Sequence, residues 1–359
     1  MSDWIDQPRA IREGEGLNEE NLHKVLLDHV PNLSGDIKVH QFPGGFSNLT
    51  YSVQVGSREF VLRRPPFGAQ IKSGHDMGRE YKILSNLNPQ FSKAPKAVYY
   101  TEDESIIGSP FYLMERVRGV ILRAKMPADM QPDETQMAGI ANSWLDTLVE
   151  LHSVDYDSAG LSDLGKPEGY VERQVGGWTK RYFNAKTDEV PLLENAAKWL
   201  SENIPTQSGA TLIHNDFKYD NVVLDPQDWT RVIAVLDWEM TTLGDPLMDL
   251  GTSIGYWVNG NDPDFMKQLD LTPTHLPGNP SRGELMNRYA TKTGTEVGDG
   301  VFYYVFGLFK IAVIVQQIYY RYKKGLTRDP RFAGLLDAVQ GIGHITHQAI
   351  SKKQIDDLF

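Results

Sequence analysis

The sequence predicts an α+β protein of two lobes, a small antiparallel-sheet unit over residues 1–118 and a larger, mostly helical unit over residues 119–359. The length of 359 residues exceeds the prior of about 100–200 for one domain. Before Arg118-Gly119 the apolar residues alternate in short runs broken by turn signals, and after it they recur at helical spacing. Composition fits a folded chain, at 40% hydrophobic and 23% charged with no low-complexity tract.

Taken in order, residues 17–30 read as an amphipathic helix with Asn18 as its N-cap. Residues 51–55 and 58–63, joined by Gly56-Ser57, read as an antiparallel hairpin. A helix is expected around 79–87 and a strand at 111–117. Helices then follow near 134–151, 172–183, 192–203, 283–293 and 301–323. The apolar run 301–320 approaches the length of a membrane span, but Lys310, Gln316 and Gln317 interrupt it, which suits a buried helix. No membrane partner is expected.

A formal charge of −11 argues against nucleic acid or anionic lipid held by bulk electrostatics, so any bound anion must be gripped locally. The absence of cysteine excludes disulfides, thiolate catalysis and Cys-ligated metal. The opening MSDWIDQPRAIREGEG has no apolar h-region, and a cytoplasmic location is expected.

The chemistry concentrates in Leu212-Ile-His-Asn-Asp-Phe-Lys-Tyr-Asp-Asn-Val-Val-Leu-Asp225 and Val232-Ile-Ala-Val-Leu-Asp-Trp-Glu239. Two apolar runs each lead into a polar segment, so two adjacent strands are expected to deliver Asp216, Asn221 and Asp237 to one place. Carboxylates and an amide oxygen are ligands that suit Mg²⁺ when phosphate oxygens complete its octahedron. The spacing His214-x-Asp216-x4-Asn221 reproduces a kinase catalytic loop, in which the Asp receives the acceptor proton and the Asn binds metal. Lys218 would stand beside the transferring phosphoryl group and offset its charge.

On these residues the chain resembles the aminoglycoside phosphotransferase and choline kinase family, the small-molecule branch of the protein-kinase-like fold. It is nearest to the branch found as the kinase portion of acyl-CoA dehydrogenase fusion proteins. His214 to Asn221 matches H-x-D-x-x-x-x-N, Asp237-Trp238-Glu239 stands in the place of D-F-G, and Gly244-Asp245-Pro-Leu-Met-Asp249 matches G-D-P-x-x-D. The resemblance spans about Phe42 to Tyr322 and implies ATP and Mg²⁺ as cofactors and a small-molecule hydroxyl as acceptor. It also implies roles in the small lobe. Pro43 to Tyr51 is a glycine turn between strands, with Ser47 and the backbone near it approaching phosphates. Phe60-Val61-Leu62-Arg63 aligns with V-A-I-K, so Val61 would roof the adenine and Arg63 would contact the α/β-phosphates, an arginine where the family carries lysine. Glu80 is the expected partner of Arg63, and the backbone of Glu115 to Val117 would bond the adenine edge.

Other residues read as structural. His214 orders its loop, Asp245 and Asp249 cap a helix or clamp a loop, and His152, His344 and His347 form no metal-ligand spacing. Trp178 and Trp257 read as core, though either could floor an acceptor pocket. A protein kinase is disfavoured, because no Ala-Pro-Glu follows Asp237 and no long activation loop fits before Gly244. Two other rivals are a nucleotide-binding pseudokinase acting as an interaction module, motivated by Arg63, and an aminoglycoside-resistance kinase. The segments expected to line the acceptor cleft carry Arg173, Lys180, Arg181 and Arg321 with Trp178, Tyr182 and Trp257, which suits a hydroxy acid or hydroxyacyl-CoA better than a polycation. The sequence gives no reading of oligomeric state.

Overall fold

The computed structural model describes residues 4–43, 48–67, 75–269, 272–298, 300–327 and 329–359. Its small lobe starts with α1 (Glu19–His29), capped as expected by the Asn18 side chain accepting from Asn21 N. Strands β1 (Ile37–Gln41), β2 (Leu49–Val55) and β3 (Arg58–Arg64) follow, then α2 (Met77–Leu87), β4 (Ala97–Thr101), the short α3 (Glu104–Ile107) and β5 (Phe111–Glu115). The five strands form one antiparallel sheet in the order β1-β2-β3-β5-β4. Leu22 and Leu26 of α1 pack on its outer face with Val53, Phe60, Leu62 and Leu113. Alternation along β3 sends Leu62 there, while Val61 points to the opposite side with Tyr112, Ile83 and Leu84.

The large lobe comprises α4 (Glu134–His152), α5 (Tyr170–Ala185), α6 (Pro191–Glu202), β6 (Thr211–Ile213), β7 (Val222–Leu224), β8 (Val232–Val235), β9 (Thr242–Gly244), α7 (Pro246–Gly255), α8 (Asp264–Lys267), α9 (Arg282–Thr293), α10 (Val301–Lys323) and α11 (Leu335–Lys352). One expectation is corrected. The apolar runs before Asp216 and Asp237 are not adjacent strands: β6 pairs with β9, and β8 pairs with β7, in two separate two-stranded sheets. The chain turns back after Asn221 and β7 claims the edge of β8. The two polar segments still meet, because Leu236 N donates to Asn221 O at 2.8 Å.

Helix α10 is long and apolar enough to cross a membrane by length and composition, and 78% of its most apolar window is buried inside the protein. It crosses α7 where Gly307 faces Gly251, and a Cβ on Gly307 would stand 2.1 Å from Gly251 O. That close approach brings Asp249 of α7 and Lys310 of α10 to the loop around Asp216.

Asp249 is fully buried and accepts from His214 N at 2.8 Å, Asn215 N at 2.6 Å and His152 Nε2 at 3.0 Å. Burial alone would raise its carboxyl, but these partners hold it below the ordinary carboxylate range. A depressed folded pKa means that this stability is present above the unfolded pKa and is lost as pH falls through the folded one. Asp249→Ala is therefore expected to destabilise the protein by about 3 kcal/mol or more near neutral pH, from buried donors left unmatched. The gap to wild type should narrow as pH drops below about 4. Denaturant melts of both proteins across that range check it.

Candidate active site

Between the lobes lies a cleft of about 980 Å³ including its open mouth. Phe42, Val61, Met114, Ile121, Val223 and Leu236 give it apolar walls, and Arg63, Asn221 and Asp237 stand in one polar region. Val61 and Arg63 share a face of β3, as the alternation predicts, whereas Arg64 points away and donates to Ile107 O and Pro65 O. The backbone of Glu115 to Val117 lines the cleft. Glu115 N donates to Lys96 O and Arg116 N to Glu59 O, so both are spent within the sheet. Val117 N has no hydrogen-bond partner among the described residues. Ser47 and the Gly44-Gly45 turn lie outside the described residues.

Arg63 is the hub of the polar region. Its guanidinium meets Glu80 at 3.2 Å, Asp237 at 3.1 Å and Glu239 at 3.4 Å, which joins β3, α2 and the segment after β8. Glu80 also accepts from Tyr112 Oη at 2.6 Å. Burial raises the Glu80 carboxyl despite Arg63. The neighbouring Arg79 fastens α2 to the large lobe, donating to the backbone carbonyls of Glu239 at 3.3 Å and of Thr241. Sequence reading passed over Arg79, because its partners are carbonyls that leave no mark in composition. Three carboxylates on one fork imply that lysine, a compact point charge, cannot replace every bond. Arg63→Lys is therefore expected to keep substantially more activity than Arg63→Ala, which leaves Glu80 buried without this cation. Activity at saturating nucleotide compares the two, and equal tolerance of Ala and Lys would show that the charge at this position is dispensable.

The loop after β6 is held from several sides. His214 Nε2 lies 2.9 Å from Leu236 O, and His214 Nδ1 accepts from Asp216 N at 3.3 Å, which fixes the tautomer with the proton on Nε2. Burial pushes the imidazole pKa down, so His214 is a neutral brace. Asn215 adopts a left-handed backbone (φ 68°), which asparagine tolerates better than most residues. Lys310 Nζ fixes it by donating to Asn215 O at 2.7 Å. Burial pulls Lys310 down to about 8. The clue to Lys310 in the sequence was a charge inside an apolar helix.

Asp216 thus projects from a fixed loop, with Asn221 Nδ2 on its Oδ2 at 2.8 Å and Lys218 Nζ 3.3 Å away. Lys218 also lies 4.8 Å from the ring centroid of Tyr256, a neighbour the sequence reading missed. Burial lowers the Lys218 pKa, but Asp216, Tyr256 and Asp220 more than offset this and hold it above the ordinary lysine range. Asn221 spends its Nδ2 on Asp216, and its Oδ1 has no hydrogen-bond partner among the described residues. Asp237 engages Arg63 through Oδ1 alone. Its backbone is left-handed (φ 66°), a strained conformation for a non-glycine residue that recurs at functional sites. An amide oxygen and a carboxylate oxygen on one cleft wall are hard donors that fit Mg²⁺.

Of the expected acceptor residues, Arg181 stacks over Trp178 at 4.4 Å; Lys310, which was not among them, lies 5.6 Å from the same ring. Arg173 turns back onto the carbonyls of Glu168 and Lys166. Trp257 packs against Trp144 and Tyr219 and donates to Pro280 O, so it belongs to the core. His152 is structural, and His344 and His347 are exposed.

Residues 38–280 match the family described as phosphotransferase enzyme family. Acyl-CoA dehydrogenase family member 10 of Mus musculus is 34% identical over 320 residues, covering 88% of this chain and 30% of that protein. The chain spans less than half the length of the curated relatives it matches. A crystal structure of a candidate aminoglycoside phosphotransferase from Ralstonia eutropha JMP134 is similar at a TM-score of 0.79 and 29% identity, covering 94% of this chain and 99% of that one. Two remoter structures share the fold alone. They are a GDP and kanamycin complex of APH(2″)-IIIa (TM-score 0.60, 15% identity, 89% and 97% covered) and an ADP and hygromycin B complex of APH(4)-Ia (TM-score 0.55, 19% identity, 90% and 99% covered).

Proposed function

The chain belongs to the phosphotransferase enzyme family, and from that premise we propose that it transfers the γ-phosphoryl group of ATP to a hydroxyl of a small molecule. The observation that carries this reading is that Asp216, Lys218 and Asn221 are joined on one braced loop, and that Asn221 lines the same cleft as Asp237 and Arg63. Apolar walls from Val61, Met114 and Leu236 suit a purine, with Val117 N as a donor for its edge. Arg63, anchored by Glu80, neutralises phosphate oxygens.

Asp216 receives the proton of the acceptor hydroxyl as its oxygen attacks phosphorus, and the nucleoside diphosphate leaves with the bridging oxygen. Asn221 and Lys218 hold the carboxylate in position, and the Lys218 ammonium also offsets charge on the phosphoryl oxygens. Asn221 and Asp237 would hold Mg²⁺, which supplies charge neutralisation and orientation of the phosphates. We place the reaction in the cytoplasm.

For the acceptor we propose a hydroxy acid or hydroxyacyl-CoA. Arg181, exposed and stacked on Trp178, sets a cation on the ring that Lys310 approaches from beside the Asp216 loop, which suits an acidic acceptor. The name of the mouse relative, an acyl-CoA dehydrogenase family member, supports the acyl portion. ADP release is to be measured side by side with kanamycin-like aminoglycosides, choline-like amines, hydroxy acids and their CoA esters. Turnover is expected with the acidic panel. Efficient turnover of an aminoglycoside alone would favour the activity named for the neighbours, and no turnover with bound ATP would favour a pseudokinase.

A further inference from the structure

We propose that residues 4–9 form part of the nucleotide site and that Asp6 recognises the ribose hydroxyls of the bound nucleotide. The inference rests on the phosphotransfer reading above and adds a residue that no motif covers. This N-terminal segment runs as an extended strap between the lobes. Arg9 exchanges backbone hydrogen bonds with Gln41 of β1 at 2.7 and 2.9 Å, and Ile5 forms an antiparallel bridge with Val120, which in turn bridges Leu224 of β7. Trp4 pins the end of the strap, donating from Nε1 to Asp129 at 3.1 Å and meeting Trp229 edge-on at 4.9 Å.

Ile5 and Asp6 line the cleft itself. Asp6 is fixed there from two sides. Its carbonyl accepts from Arg116 Nη2 at 2.5 Å, and its Oδ2 accepts from Arg123 Nη2 at 3.1 Å. Arg116 and Arg123 line the same cleft, just after β5.

A second carboxylate, from the catalytic loop, lines the cleft as well. Asp220 precedes Asn221, and its Oδ1 is buried without a hydrogen-bond partner. Arg123 carries charge toward both acids. A nucleotide whose base lies against Val61 and Met114 and whose phosphates meet Arg63 must place its ribose between these ends. A cis-diol there offers two donors, and carboxylates are acceptors suited to it, as in other nucleotide sites where an acid bonds the 2′-hydroxyl.

The experiment compares binding of ATP and 2′-deoxy-ATP, each with Mg²⁺, to the full chain and to Asp6→Ala and Trp4→Ala. Wild type is expected to prefer ATP by roughly tenfold or more, as for a hydrogen bond to a charged group. Asp6→Ala should lose most of that preference by weakening ATP while leaving 2′-deoxy-ATP nearly unchanged. Trp4→Ala, which releases the strap without lining the cleft, should lose it in part. A wild-type chain that binds both nucleotides equally, or an Asp6→Ala variant that keeps the full preference or weakens both nucleotides alike, would overturn the proposal. A wild-type chain that binds neither would overturn the phosphotransfer reading itself.

Discussion

Asp216→Asn is expected to lose turnover by about 10² or more while Mg·ATP affinity stays within a few-fold of wild type. The asparagine keeps the size of the side chain but cannot take a proton from the acceptor. Its neighbours are arranged for a charged group: Lys218 Nζ lies 3.3 Å away and Asn221 Nδ2 donates at 2.8 Å. The loop should survive the change, because Asp249, His214 and Lys310 brace its backbone independently of this carboxylate. A loss of about 10² corresponds to about 2.7 kcal/mol of transition-state stabilisation. Single-turnover rates and calorimetry separate the two quantities, and turnover within a few-fold of wild type would show that another group takes the proton.

Asp237→Ala is expected to abolish the metal-dependent part of ATP binding. Asp237, two residues past β8, has a strained left-handed backbone and lines the cleft, and Arg63 holds only one of its oxygens. Removing the carboxylate frees Arg63 from one of three acidic partners, so some metal-independent affinity for phosphate should persist. Calorimetry with ATP, in the presence of Mg²⁺ and then of a chelator, reads this directly. A variant whose affinity still rises with Mg²⁺ as it does in wild type would place the metal elsewhere.

The parts of the fold legible in the sequence are those set by local signals. Asn18 caps α1, Gly56 turns the β2–β3 hairpin, and α10 begins and ends where its apolar period does. The site was legible where chemistry follows fixed spacing: His214, Asp216 and Asn221 lie on one loop, and alternation along β3 puts Val61 and Arg63 in one cleft. What escaped depends on distant partners. Strands of three residues, such as β6 and β7, carry too little pattern to reveal that they pair with β9 and β8. Helix α11 contains Gly341 and Gly343, poor helix formers, and the second lets it pack close to Leu193. The strap at Ile5 and Asp6 is extended chain with no period, and its place is set by distant partners such as Val120, Gln41 and Arg123.

The central claim, phosphoryl transfer to a small hydroxyl compound with Asp216 as base, is tested most directly by incubating wild type and Asp216→Asn with Mg·ATP and the acidic acceptor panel and weighing each acceptor by mass spectrometry. A phosphorylated hydroxy acid or hydroxyacyl-CoA is expected with wild type and almost none with the variant. ADP formed without any phosphorylated acceptor, or equal product from both proteins, would contradict it.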